Sequence, residues 1–294
     1  MLARSKFAAL MLLAAASVAA TLTAQEAAAQ DAPKHIHIIG ASVSAGFEDG
    51  PMFGAKTNGD SVSMLHMLKK WSDGEVKVTS HAQMAMCYLF SDPIKNGKQQ
   101  IELAKKKKPD MVVAVDFPFW FGYGPVSGDK AKARLARLET GLGYLKELNV
   151  PIIIGDFPNM LGAKVRMLKP LWIPTEATLK LLNARLSKFV ADNQNVTLVP
   201  MAQIVKALKD DGVNLPLQAG ELKTGPGVLL QEDQLHATRL GMALMAFQMQ
   251  ATLREHFPNK HPLHEQQWSF EEFAEAAGAD AELESLIDEA NQKK

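Results

Sequence analysis

Cysteine is almost missing from these 294 residues. Cys87 stands alone, so no intramolecular disulfide can brace the fold and the core must suffice without one. No basic residue lies beside Cys87 to lower its pKa, so it reads as a small apolar filler, not a nucleophile. Net charge is absent as well: 32 basic side chains balance 32 acidic ones, which gives no reason to expect nucleic acid or an anionic membrane as partner. The one basic run, Lys105-Lys106-Lys107-Lys108, closes a helical pattern before Pro109, where cations complement the helix dipole, and reads as a solvated helix end. No internal repeat or extended low-complexity tract appears. With 47% hydrophobic and 22% charged residues, one globular domain with appendages is the expectation.

What is present begins with residues 1–30. Arg4 and Lys6 precede an alanine-rich apolar run from Phe7 to Ala20, and small residues follow through Ala27-Ala28-Ala29, the layout of a secretory signal peptide. Its removal takes Arg4, Lys6 and Glu26 and leaves a net charge of about −1. A chain exported without disulfides suits a bacterial periplasmic or secreted protein with no stable membrane anchor after cleavage.

Strand and helix patterns alternate along the rest. Strands are expected at Ile36–Ile39, Val76–Val78, Met111–Val115, Pro151–Gly155 and Val196–Val199, with helices over Asp60–Trp71, Asp92–Lys108, Lys130–Leu148, Thr175–Ala191 and Ala202–Lys209 between and after them. Asp210 to Gln231 reads as a long connection, and a last core helix starts near Thr238 and stops before Pro258. Five short strands separated by helices predict a five-stranded parallel sheet in a three-layer α/β/α sandwich of flavodoxin-like type over residues 31–257. Residues 258–294 form a charged helical extension, in which Ser269 and Glu272 give a capping-box signal.

Two stretches carry chemistry. In Gly40-Ala41-Ser42-Val43-Ser44-Ala45-Gly46 an apolar strand halts at a glycine, and a serine follows on a tight turn, the setting of an exposed nucleophile. Asp233-Gln234-Leu235-His236 puts a carboxylate and an imidazole in one short turn. A serine hydroxyl needs such an imidazole to take its proton, and the imidazole needs a carboxylate to fix its tautomer. Taken singly, Asp233 also reads as a turn cap and His236 as a surface histidine.

Together these stretches resemble the first and last blocks of the GDSL (SGNH) hydrolases, Gly-Asp-Ser-x-Ser and Asp-x-x-His, with Ala41 where the family has aspartate. The resemblance implies an SGNH-type sandwich, an esterase that needs no cofactor or metal, Ser42 as nucleophile, His236 as base and Asp233 as its partner. It also implies oxyanion donors from the Ser42 amide, a glycine after the second strand and an asparagine after the third. The last two are missing here. The corresponding stretches read Ser80-His81-Ala82-Gln83-Met84-Ala85-Met86 and Asp116-Phe117-Pro118-Phe119-Trp120, leaving Ala85, Gln83, His81, Asp116 and Asn159 as replacement candidates. Phe117, Phe119 and Trp120, within the aromatic cluster that ends at Tyr123, either line a sugar or acyl site or fill space beneath a loop.

The expected activity is hydrolysis of a short acyl or O-acetyl ester, on a carbohydrate or small lipid, through an acyl-Ser42 intermediate. Two other readings stay open. One is a non-catalytic carbohydrate- or lipid-binding protein on the same fold. The other is a metal-dependent phosphoesterase using His81, Asp116, Asp156 and His236.

Overall fold

Runs of β-branched residues set the sheet. Met111-Val112-Val113-Ala114 and Ile152-Ile153-Ile154-Gly155 are buried on both faces, as central parallel strands must be. A computed structural model describes residues 32–47, 61–82 and 90–292; the expected signal peptide, Asp60, Gln83, Ala85 and Cys87 lie outside the described residues. Strands β1 (His35–Ile38), β2 (Lys77–Ser80), β3 (Met111–Ala114), β4 (Ile152–Gly155) and β5 (Val196–Val199) form one parallel sheet in the order β2-β1-β3-β4-β5. That is the order of flavodoxin-like doubly wound sheets.

Alternation along each strand feeds two cores. Ile36, Ile38, Val78, Met111 and Val113 pack with α2 (Met64–Ser72) and with α8 (Arg239–Arg254). Val112, Ala114, Ile152 and Ile154 face the opposite layer, built by α3 (Pro93–Lys107), α5 (Lys130–Lys146) and α6 (Glu176–Asp192). Each of these five helices starts on a side-chain cap: Ser63, Asp92, Asp129, Thr175 and Thr238 accept amides of the first turns. The fold class is thus the three-layer α/β/α sandwich that the alternation predicts.

Differences from the expected elements are local. After α7 (Met201–Lys206) the helix widens into a π-turn at Ala207–Asp211, where the sequence pattern runs straight on to Lys209. The connection from 210 to 231 carries a hairpin, β6 (Asn214–Leu217) with β7 (Gly220–Lys223), which Pro216 had obscured. In the C-terminal stretch, α9 (Pro262–Glu265), α10 (Phe270–Ala277) and α11 (Asp280–Gln292) follow. The Ser269/Glu272 capping box is formed, and Phe270, Phe273 and Leu283 join the α2/α8 core. Among the described residues, no helix is long and apolar enough to cross a membrane.

Candidate active site

Because the strands run parallel, the chain turns that follow them collect at one edge of the sheet. After β1 the chain passes Gly40 and enters the one-turn helix α1 (Ser42–Ala45). Gly40 has φ +142°, and a Cβ there would stand 2.1 Å from Asp116 Oδ1, so only glycine fits. Gln100 of α3 clamps this turn from below: its amide nitrogen donates to Gly40 O (2.9 Å), and its oxygen accepts from Gly40 N (3.0 Å).

Asp116, just past β3, holds the turn from the other side. Its carboxylate accepts the Ser44 amide (3.1 Å) and the Ser44 hydroxyl (2.5 Å). Burial pushes the Asp116 carboxyl above the ordinary value, against the pull of the hydrogen bonds from Ser44 and Ala41. A carboxylate is therefore present beside the serine turn although residue 41 is alanine; it arrives from β3 instead of from the turn itself.

On the far side, Asp233-Gln234-Leu235-His236 forms a tight turn closed by the Leu230–Ala237 bridge, with Gln234 at φ +55°. Asp233 Oδ1 accepts the amides of Leu235 (2.8 Å) and His236 (2.9 Å), which leaves Oδ2 for His236 Nδ1 at 2.5 Å. His236 Nε2 lies 2.7 Å from Ser42 Oγ. Burial alone would raise the pKa of Asp233, but the hydrogen bond and charge of His236, with the two amides, hold it below the usual carboxylate range. The Phe47 ring stacks on the imidazole at 4.4 Å between centroids. Gln231 ties the turn to the chain after α1, donating to Phe47 O (2.7 Å) and Ala237 O (2.8 Å). Lys164 N–H donates to Asp233 O (2.8 Å) from the loop after β4.

The arrangement is a hydroxyl, an imidazole and a buried carboxylate in series, the constellation that activates a serine for acyl transfer. It stands at the carboxyl edge of the five-stranded parallel sheet. No family model matches the sequence, and no curated protein does either. Solved structures similar to this chain include the psychrotrophic esterase EstA from Pseudoalteromonas sp. inhibited by monoethylphosphonate (14% identity, 76% of this chain and 97% of that one, TM-score 0.45). TesA (14% identity, 76% and 99%, TM-score 0.47) and the acetyl xylan esterase AlAXEase (14% identity, 74% and 99%, TM-score 0.44) are others.

Two recesses open beside Ser42. The larger, a cavity of about 60 Å³, is lined chiefly by apolar groups, among them Val43, Phe119, Met160, Met201 and Val205, together with Asp116 and Asp156. A narrower one is walled by Phe47, Phe90, Phe119, Trp120, Met167 and Leu168.

The candidate residues therefore separate. Phe119 and Trp120 face these recesses, and the Trp120 indole N–H is buried without a partner among the described residues. Phe117 is fully buried against Phe121. Asp156 reaches the cavity but caps α7 through the Ala202 amide (2.6 Å), and burial raises its pKa. Asn159 is exposed and bonds the Leu161 amide in its own loop. His81 turns away to His37, Nδ1 to Nε2 at 3.0 Å.

Residues that the sequence reading passed over are Phe47, Gln100, Gln231 and Lys164. Only Gln231, adjacent to the Asp-x-x-His turn, carried a local signal. The others require knowing which loops meet.

Proposed function

We propose that this chain is an exported serine esterase, a divergent relative of the GDSL (SGNH) hydrolases, which cleaves a short-chain oxygen ester. One observation carries the reading: Ser42 Oγ, His236 and Asp233 stand in a continuous hydrogen-bonded series, with Asp233 buried and its second oxygen fixed by two amides.

In this reading Ser42 Oγ attacks the ester carbonyl carbon as His236 Nε2 takes its proton. Asp233 holds the proton on Nδ1 and balances the imidazolium. The oxyanion collapses, the C–O bond to the alcohol breaks, and His236 gives the departing oxygen its proton. Water, deprotonated by the same imidazole, then hydrolyses the acyl-serine and restores the hydroxyl. The Ser42 amide is the oxyanion donor that the resemblance names, and the Trp120 N–H, buried without a partner among the described residues, is the candidate for a second. A cavity of about 60 Å³ favours an acetyl or similarly short acyl group over a long chain.

A metal-dependent reading draws no support from the ligand geometry. Among the described residues no group of three or more His, Cys, Asp or Glu side chains is placed to hold a metal ion. Asp116, Asp156 and His81 are committed to Ser44, Ala202 and His37 respectively.

A fluorophosphonate probe tests the proposal. It is expected to label the folded protein, to fail on Ser42→Ala and to label His236→Ala at least a hundredfold more slowly. Hydrolysis of p-nitrophenyl acetate is expected to exceed that of the octanoate and to survive exhaustive chelation. Folded protein that takes no label would instead be a binding protein on this fold.

A further inference from the structure

The loop between β4 and α6 walls the narrow recess with its buried side chains and shows something different to solvent. Leu161, Val165 and Leu171 are 64%, 62% and 74% exposed, three of the five exposed large hydrophobic residues among those described. Between them stand Lys164, Arg166 and Lys169, all exposed, and no acidic residue occurs from Phe157 to Thr175. The neutral net charge of the whole chain conceals this local excess.

Aliphatic tips interleaved with cations match the two layers of an anionic bilayer surface, phosphate outside and acyl chain beneath. An acidic protein surface would satisfy the cations and leave the leucines in water. The same loop is joined to the candidate site: Met167 and Leu168 line the recess beside Ser42 and His236, and the Lys164 amide bonds Asp233 O.

We infer that this loop seats the protein on an anionic phospholipid surface, so that the ester it cleaves is carried by a molecule lodged in that surface. This rests on the esterase reading and narrows its substrate class to membrane-held esters. The short acyl group enters the cavity while the rest of the molecule stays among the lipid headgroups.

The test uses the full chain with Ser42→Ala, so that lipid is not consumed, and with Cys87→Ser and Val165→Cys to carry a polarity-sensitive fluorophore on the loop. A local probe is needed because residues 7–20 are apolar and can bind lipid by themselves. With vesicles of equimolar phosphatidylcholine and phosphatidylglycerol, the emission is expected to shift to the blue; with phosphatidylcholine alone it should not. Lys164→Gln and Lys169→Gln should each raise the lipid concentration for half-maximal shift about fivefold, and Leu171→Ser several-fold.

No shift on anionic vesicles, an equal shift on neutral ones, or indifference to the lysine variants overturns the inference. An equal shift with polyglutamate would assign the patch to an acidic protein. A shift without vesicles that grows with protein concentration would assign it to a second copy of the chain. Because this readout needs no turnover, absence of the shift while the chain that keeps Ser42 still takes the fluorophosphonate label leaves a soluble-substrate esterase. A persistent shift with no labelling of the chain that keeps Ser42 leaves a lipid-binding protein.

Discussion

Gly40 and Asp116 meet at the tightest point of the candidate site, and a single methyl group there has two consequences. Gly40→Ala would force a side chain into φ +142° and into the Asp116 carboxylate. The strain and the displaced carboxylate together should cost about 2–4 kcal/mol, read as a lower urea midpoint, and should slow fluorophosphonate labelling at least tenfold. Trp120→Phe removes the N–H that has no partner among the described residues and keeps the packing. If that N–H stabilises the oxyanion, kcat should fall by about 10² with KM little changed; an unchanged kcat returns Trp120 to the role of wall. At this scale the sequence was legible where chemistry is local. A serine two residues past a strand-ending glycine, and a carboxylate three residues before an imidazole, announce themselves by spacing. Asp116 did not, because its aim at Ser44 depends on β1 and β3 being neighbours. Nor could spacing sort Phe119 and Trp120 from the buried Phe117, since the one-turn helix α4 (Phe119–Gly122) decides which rings face the recess.

Edge strand β2 and its neighbour β1 share a line of polar side chains on an otherwise apolar layer. His35 Nε2 and His37 Nδ1 both meet Thr79 Oγ1 at 2.7 Å, and His37 Nε2 meets His81. Burial, with His81, His35 and Lys107 nearby, lowers the pKa of His37 from 6.5 to about 4. The native strand therefore prefers the neutral ring. Its stabilising contribution is whole above pH 6.5 and is lost as the pH falls toward 4, by roughly 2–3 kcal/mol. His37→Gln keeps a neutral hydrogen-bonding side chain, and its unfolding free energy should decline less between pH 7 and pH 4.5 than that of the unaltered protein. At the scale of elements the alternation of apolar runs exposed all five parallel strands and their order of appearance. The hairpin at 214–223 stayed hidden because Pro216 interrupts one of its strands and the other, Gly220-Glu221-Leu222-Lys223, buries a single residue and shows no apolar run.

For the molecule as a whole, the helices after Pro258 matter to stability. Leu263, Phe270, Phe273 and Leu283 are buried in the α2/α8 core, at about 1.5–3 kcal/mol each, a sum comparable with the net stability of an ordinary domain. A chain ending at Pro258 should fail to fold, and Phe273→Ala should lose about 3–5 kcal/mol in urea unfolding. The doubly wound path has one more result. The hydroxyl and the imidazole that meet at 2.7 Å are 194 positions apart in the chain. No fragment of the polypeptide short of residue 236 holds both, so on the esterase proposal a chain still emerging from the ribosome is chemically silent until the turn at 233–236 is made and closes on the first strand.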